Sequence, residues 1–344
     1  IMLEIPIFDA MHTKHHKLDL SDKKILYYLL KNSRISFTEI AKKVHLSKES
    51  VQYRYHKFLE KGIVLRSYAT INYEKLGYQK YHILLVVDDE KKNLVKKFVS
   101  TLDTHPSVLR VIRYNDHWDF EIVVLAQNVL DFDALVYSIL GQFEDIILKK
   151  DTEVVIEVQE NNAFPEVRQL KLGGKVSNKN STKKKLGEVK LDQLDLSILE
   201  ILSGNARLSS YKISEKIPLS HDAISRRIKK MLASGIIKGF TCLLNYSDLD
   251  YQGYVFCFNS SNMKQSDEKK FISYYKQSPY VFSIKKMVGA WDIRNYVVVK
   301  HINDLHSLVL DFKSKFSSVV QNYQTWVIYK EYVFNPFPKV LLEE

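Results

Sequence analysis

LSKESVQYRYHKFLEKGIV, residues 46–64, and LSHDAISRRIKKMLASGII, residues 219–237, follow one pattern. Each opens on Leu-Ser, runs through a basic amphipathic stretch and closes at Gly-Ile, and every matching position is 173 residues apart. A serine in second place is a natural helix N-cap, and a glycine near the end is a natural stop. Outward from these stretches the register holds without a gap: residues 18–78 align with 191–251 at roughly a third identity, and HWDFEIVV from His117 meets AWDIRNYV from Ala290. Two copies with so long a period mean domain duplication rather than a solenoid.

Each copy has two parts. In the first, Ile25, Leu26, Leu29 and Leu30 give one face of a helix over 21–31. Ser36 and Glu39 have capping-box spacing and start a second helix with Phe37, Ile40, Ala41 and Val44 inward. A tight turn through His45 and Leu46 leads to Ser47, the N-cap of a third helix that buries Val51, Tyr55 and Phe58, with Leu59 a further candidate, and stops at Gly62. A strand pair over 63–71 is expected to form a hairpin wing. The matching stretches in the second copy are 197–202, 209–217, 220–233 and 235–244. Three helices and a wing make a winged helix-turn-helix.

The second part reads strand 81–87, helix 91–102, a hairpin of VLRVIRY and DFEIVVLA, helix 132–143 and strand EVVIEV. This βαββαβ order is ferredoxin-like and recurs in the second copy. The fold class is therefore α+β. Its strands are apolar on both faces, and two helices cover only one, so the other face calls for a second sheet from this chain or another. The expected layout is a tail (1–17), a winged domain (18–78), a ferredoxin-like domain (79–160), a linker (161–190), a second winged domain (191–251), a second ferredoxin-like domain (252–334) and a tail (335–344).

The 344 residues suffice for about two to four domains. Hydrophobic content is 45%, and no apolar run reaches the roughly 18 residues that span a bilayer, so no membrane partner is expected. The opening IMLEIPIFDAM lacks the basic start of a signal peptide. Cys242 and Cys257 sit in apolar strand-like runs and read as small buried hydrophobes. A cytoplasmic location is expected. The net charge of +11 is unevenly placed. Residues 18–78 carry 12 basic and 6 acidic groups, 79–160 carry 9 and 15, 161–190 carry 8 and 2, 191–251 carry 8 and 7, and 252–334 carry 11 and 6. Segments so different should have different partners.

Off the buried face of the third helix lie Ser47, Lys48, Glu49, Gln52, Tyr53, Arg54, His56 and Lys57; the second copy offers Ser220, His221, Asp222, Ser225, Arg226, Arg227, Lys229 and Lys230. Such a helix fits the major groove, where Arg, Lys and Gln read base edges and others touch phosphate. The bland alternative is a solvated basic face. The Lys183–Lys184–Lys185 tract suits phosphates or a solvated linker equally. His12, His15 and His16 read as a disordered tail rather than a metal site. The Trp118-Asp119 and Trp291-Asp292 turns read as aromatics plugging a sheet edge, or as the mouth of a small-molecule pocket. No phosphate-cradling, zincin or Cys-x-x-Cys motif occurs, so no enzyme, cofactor or metal is expected.

The LD-x-x-D starts at Leu18 and Leu191, the NSRIS and NARLS turns, and the two LS-helix-GI segments together resemble the DNA-binding domain of the Lrp/AsnC, or leucine-responsive, transcription regulators. The βαββαβ half resembles that family's effector-binding and oligomerisation module. The resemblance covers nearly the whole chain twice and is similar to tandem single-chain forms. It implies that the third helices enter the major groove of double-stranded DNA and that the sheets associate face to face, within the chain or between chains. It also implies that a small effector, often an amino acid, binds near a Gly-x-aromatic-Asp turn. That turn is Gly289-Ala290-Trp291-Asp292 in the second copy; the first has Asp116 in place of the glycine, before His117, Trp118 and Asp119. A turn needing positive φ would tolerate Asp116 less well than glycine. Two rival readings are a sirohaem decarboxylase-like enzyme, for which Arg110, Arg113 and His117 are the nearest candidates, and a protein-interaction scaffold with degenerate winged domains.

Overall fold

The computed structural model describes residues 7–11, 13–160, 164–168, 190–261 and 264–342. The first copy runs α1 (Leu20–Lys31), α2 (Phe37–Val44), α3 (Lys48–Glu60), β1 (Val64–Ile71), β2 (Gln79–Val87), α4 (Lys92–Thr104), β3 (Val108–Tyr114), β4 (Phe120–Ala126), α5 (Val129–Leu140) and β5 (Ile147–Glu160). A helical turn, α6 (Pro165–Arg168), precedes the second copy. That copy runs α7 (Gln193–Gly204), α8 (Ser210–Ser214), α9 (His221–Ala233), β6 (Ile237–Leu244), β7 (Gln252–Ser260), α10 (Gln265–Gln277), β8 (Val281–Val288), β9 (Ile293–Val299), α11 (Ile302–Phe316) and β10 (Val320–Phe334).

These elements sort by kind rather than by copy. The helical halves of both copies form one compact unit, and the sheet halves form the other, with breaks after Leu76 and Leu244. Residues 245–251, expected in the second winged domain, belong to the sheet unit: the Tyr246 amide donates to Ile7 O at 3.0 Å, and Leu249 is buried.

In the helical unit, Asp19 caps α1 and forms a capping box with Asp22; Asp192 and Asp195 repeat it on α7. Such reciprocal caps satisfy amides that the first helical turn leaves free. The expected hairpin wing is corrected. Among the described residues each copy supplies one wing strand, and β1 pairs antiparallel with β6, joining Ser67 to Cys242 and Ala69 to Phe240. The strand that looked like half of a local hairpin finds its partner 173 residues away.

The sheet unit is a closed eight-stranded barrel, ordered β10-β3-β4-β2-β5-β8-β9-β7 with β7 returning to β10. Each copy contributes a four-stranded antiparallel sheet of ferredoxin-like order, β5-β2-β4-β3 and β10-β7-β9-β8. The two sheets also join at their edges. β5, 14 residues long, pairs with β2 through residues 147–154 and with β8 through 154–160; β10, 15 residues long, serves β7 and β3 the same way. Both sheets come from one chain, which settles the source of the second sheet.

Outside the first sheet, Phe98 and Leu102 of α4 and Phe132, Val136 and Ile139 of α5 pack on Tyr81, Ile83, Phe120 and Ile122. Outside the second, Phe271 and Phe312 pack on Phe256 and Phe258. At about 25 cal/mol per Å², these aromatic-rich layers are the main favourable contribution to the barrel.

The tails are more ordered than expected. Ile7 and Phe8 are buried, Asp9 pairs with Lys330 at 2.9 Å, and His15 pairs with Asp250. At the other end Phe337 and Leu341 are buried. Phe164 of the expected linker is buried near Tyr251, while Glu166 pairs with Lys23 at 2.6 Å. Residues 161–163 and 169–189, with the Lys183–Lys185 tract, and His12 lie outside the described residues. Cys242 and Cys257 are free and buried; burial pushes the Cys242 thiol up to about 12, which makes it inert. No helix among the described residues is long and apolar enough to cross a membrane.

Candidate nucleic-acid interface

The two helix-turn-helix pairs are built by the same devices with one difference. α2 is capped by Ser36, whose hydroxyl accepts from the Glu39 amide at 3.1 Å, and ends at His45 in the left-handed region, φ 57°. The equivalent of His45 is Pro218, whose ring fixes φ near −65° and rules that conformation out. α8 accordingly has five residues against eight in α2. Both copies nevertheless restart at a serine: the Ser47 hydroxyl accepts from the Ser50 amide at 3.1 Å, and Ser220 from the Ala223 amide at 3.2 Å. Gly62 and Gly235, at φ 70° and 73°, follow the two helices.

α3 buries Val51, Tyr55 and Phe58 but leaves Leu59 exposed, and α9 buries Ile224, Ile228 and Met231. This leaves Lys48, Glu49, Gln52, Tyr53, His56 and Lys57 exposed on one helix and His221, Asp222, Arg226, Lys229 and Lys230 on the other, with Ser225 half-buried. Lys57 lies 5.7 Å from the Tyr53 ring, so a cation and an aromatic share the open face. Glu49 and Asp222 sit in the first turn, where an acid complements the helix dipole.

Arg54 and Arg227, also expected on the open face, are half-buried and paired within their own winged domains. Arg54 Nη1 reaches Asp19 Oδ2 at 2.7 Å and Asp22 Oδ1 at 2.6 Å; Arg227 Nη1 reaches Asp192 Oδ2 and Asp195 Oδ1, both at 2.8 Å. Hydrogen bonds from the caps raise both guanidinium pKa values. Each arginine thus ties its recognition-type helix to the capping box of the first helix. The LD-x-x-D start of each copy is the other half of that clamp.

The two winged domains also hold each other. Arg34 Nη1 donates to Ala206 O at 2.5 Å and Leu208 O at 2.9 Å. Arg207 Nη1 returns the contact to Ser33 O and, at 3.2 Å, to Ile35 O. The Ser33 amide donates to Phe240 O and the Ala206 amide to Ser67 O, both at 3.0 Å. Arg207 also lies over Phe37 at 4.3 Å and Tyr55 at 5.0 Å. The NSRIS and NARLS turns are therefore a reciprocal staple that, with the β1–β6 ribbon, fixes α3 relative to α9.

In the barrel, Trp118 and Trp291 are buried. Asp119 Oδ2 accepts from the Val87 amide at 2.7 Å, and Asp292 Oδ2 from the equivalent Ser260 amide at 2.8 Å. Ala290 O accepts from Asn259 at 3.0 Å. Through these bonds the β3–β4 and β8–β9 turns hold the ends of β2 and β7. The expectation of strain at Asp116 is corrected: among the described residues the only non-glycine positive φ values belong to His15, His45 and Asp250. The Asp116 carboxylate instead accepts from the Val327 amide at 2.8 Å. Gly289 has φ 151°, and a Cβ there would meet Glu153 Cγ at 2.7 Å and its backbone Cα at 3.2 Å. Gly289→Ala should destabilise the barrel by roughly 2–4 kcal/mol, read as a fall in the urea midpoint.

Sequence reasoning missed the barrel's charged interior. His82, Glu121, Glu153, Arg294 and Glu331 are fully buried, and Lys285 nearly so. Arg294 bridges Glu121 at 3.0 Å and Glu153 at 2.6 Å; Arg110 forms a bidentate pair with Glu331 at 2.7 and 2.9 Å. His82 and Tyr114 bond Glu121, and Tyr296 joins them at 2.9 Å. The available signal was a charge inside an otherwise apolar strand, as in FEIVVLA and IRNYVVV.

Burial, reinforced by Lys285 and Arg294 and only partly opposed by Glu121, lowers His82 to about 3. His82 is therefore neutral when folded and gains a proton near pH 6.5 when unfolded. Its contribution is fully present above pH 6.5 and declines as pH falls toward about 3. Stability should drop by roughly 2 kcal/mol between pH 6.5 and 5 in urea titrations, and His82→Gln should remove that part of the decline.

Fold and site define a duplicated winged helix-turn-helix protein whose other half is a ferredoxin-like double sheet. The family profile for winged helix-turn-helix DNA-binding domains matches residues 18–64, and that for the AsnC-type helix-turn-helix domain matches 191–232. The chain is 34% identical over 125 residues to an uncharacterised HTH-type transcriptional regulator of Pyrococcus horikoshii, PH0061, spanning 36% of this chain and 82% of that protein. It is 32% identical over 143 residues to the HTH-type transcriptional regulator LrpC of Bacillus subtilis, spanning 42% and 94%. The chain belongs to the Lrp/AsnC family, in a tandem single-chain form. The sirohaem decarboxylase NirDL superposes with TM-score 0.61 at 12% identity, covering 94% of this chain and 97% of its own, a likeness that shows the fold alone.

Proposed function

We propose that this protein is a transcription regulator that binds double-stranded DNA in a sequence-specific manner through α3 and α9. The carrying observation is the pair of N-capped helices, open on a polar and mostly basic face and held to one another by Arg34 and Arg207. Lys48, Lys57, Lys229 and Lys230 contact phosphate, and Gln52, Tyr53, Ser225 and Arg226 are placed along the helices to read base edges. Arg54 and Arg227 act indirectly, by seating the helices. The Trp-Asp turns, with Asp116, Trp118, Asp119, Gly289, Ala290, Trp291 and Asp292, are the proposed region for a small effector such as an amino acid.

Two of the three candidates for a decarboxylase reading are committed to carboxylates. Arg110 serves Glu331, and Arg113 serves Asp89 and, at 3.2 Å, Asp119. This favours the regulator over the enzyme. Footprinting of the purified chain on genomic fragments tests the proposal. Two protected segments on one side of the duplex, their centres about one helical turn or a multiple of it apart, are expected. Uniform weak protection of every fragment would defeat it.

A further inference from the structure

The 173-residue offset puts Glu121 of β4 and Arg294 of β9 at the same position in the two copies. They also touch, at 3.0 Å. Equivalent residues meet in this way only close to the pseudo-twofold axis relating the sheets, so a pairing of two identical sheets would bring either residue against itself. We propose that this charge pair, together with Glu153, Arg110 and Glu331, limits each sheet to the opposite sheet of a duplicated chain and excludes pairing of like with like.

The interior charges support this. As built, the barrel sets three buried carboxylates, Glu121, Glu153 and Glu331, against the buried Arg294 and Lys285 and the half-buried Arg110. Two first-copy sheets would enclose Glu121 and Glu153 twice against Arg110 twice. Two second-copy sheets would enclose Arg294 and Lys285 twice against Glu331 twice. The edges agree. Arg110 pairs with Glu331, but the first-copy equivalent of Glu331 is Val158, so like pairing leaves the guanidinium without its carboxylate. The second-copy equivalent of Arg110 is Ser283, which leaves Glu331 without its guanidinium. Burying a charge without its partner is far costlier than burying the pair.

The test uses full-length chains carrying E121R or R294E, with different affinity tags. Alone, each variant sets like charges together in its own barrel; its melting midpoint should fall by roughly 10 °C, or its soluble yield should collapse. Expressed together, the two can exchange sheets. One barrel of the exchanged dimer then has its native interior, and the other carries the pair with charges reversed. A 1:1 complex should pass both affinity steps, with soluble yield raised at least tenfold. Co-expression of E121R with wild type should give no such rescue, because the second barrel still carries the clash. Wild-type melting of either variant, failure of the two to rescue one another, or equal rescue by wild type would each overturn the proposal.

Discussion

Lys48→Ala, Gln52→Ala and Lys57→Ala, combined in one chain, should lower affinity for operator DNA about 10²–10³-fold while leaving the melting midpoint where it was. All three side chains are exposed on α3, and none takes part in its caps or its packing. Two lost phosphate contacts should also make the slope of log K against log salt shallower by about 2, and loss of the glutamine should relax base preference at one position. Fluorescence anisotropy at several salt concentrations separates these effects. A uniform loss with no change of slope would mean that the lysines do not meet phosphate.

Arg34→Ala with Arg207→Ala should give the second large effect. The pair donates to four backbone carbonyls across the two copies, and Arg207 covers two rings. Hydrogen bonds from a charged donor are worth about 1.5–3 kcal/mol, so the helical unit should lose roughly 3–5 kcal/mol. The DNA readout is more telling. Affinity for a duplex with both half-sites should fall about 10²-fold, while affinity for a single half-site should be nearly unchanged, because what is lost is the effective concentration of the second helix. Equal losses on both duplexes would point to damage within the helices instead.

The helices and the βαββαβ order were legible because periodicity and caps are local. Ser36, Ser47 and Ser220 cap where the sequence places them. What escaped is what depends on the other copy. β1 has the alternation of a wing strand, but nothing within 63–71 names β6 as its partner. The long β5 and β10 do not announce that each changes partner midway. Arg54 looks like any arginine on a basic helix until Asp19 and Asp22 come within 2.7 and 2.6 Å of it. Glu121 and Arg294 were visible as a mismatch in the alignment, yet only the barrel shows that the mismatch is a contact.

The departures between the copies have a directional result. A dimer of identical subunits presents the same helix twice and is matched to a palindrome. Here one helix offers Lys48, Gln52 and Tyr53 where its counterpart offers His221, Ser225 and Arg226. A chain engaging DNA with both would have a left hand and a right hand. Its target would be two dissimilar words in a fixed order, so the protein would sit facing one way along the chromosome and could distinguish upstream from downstream.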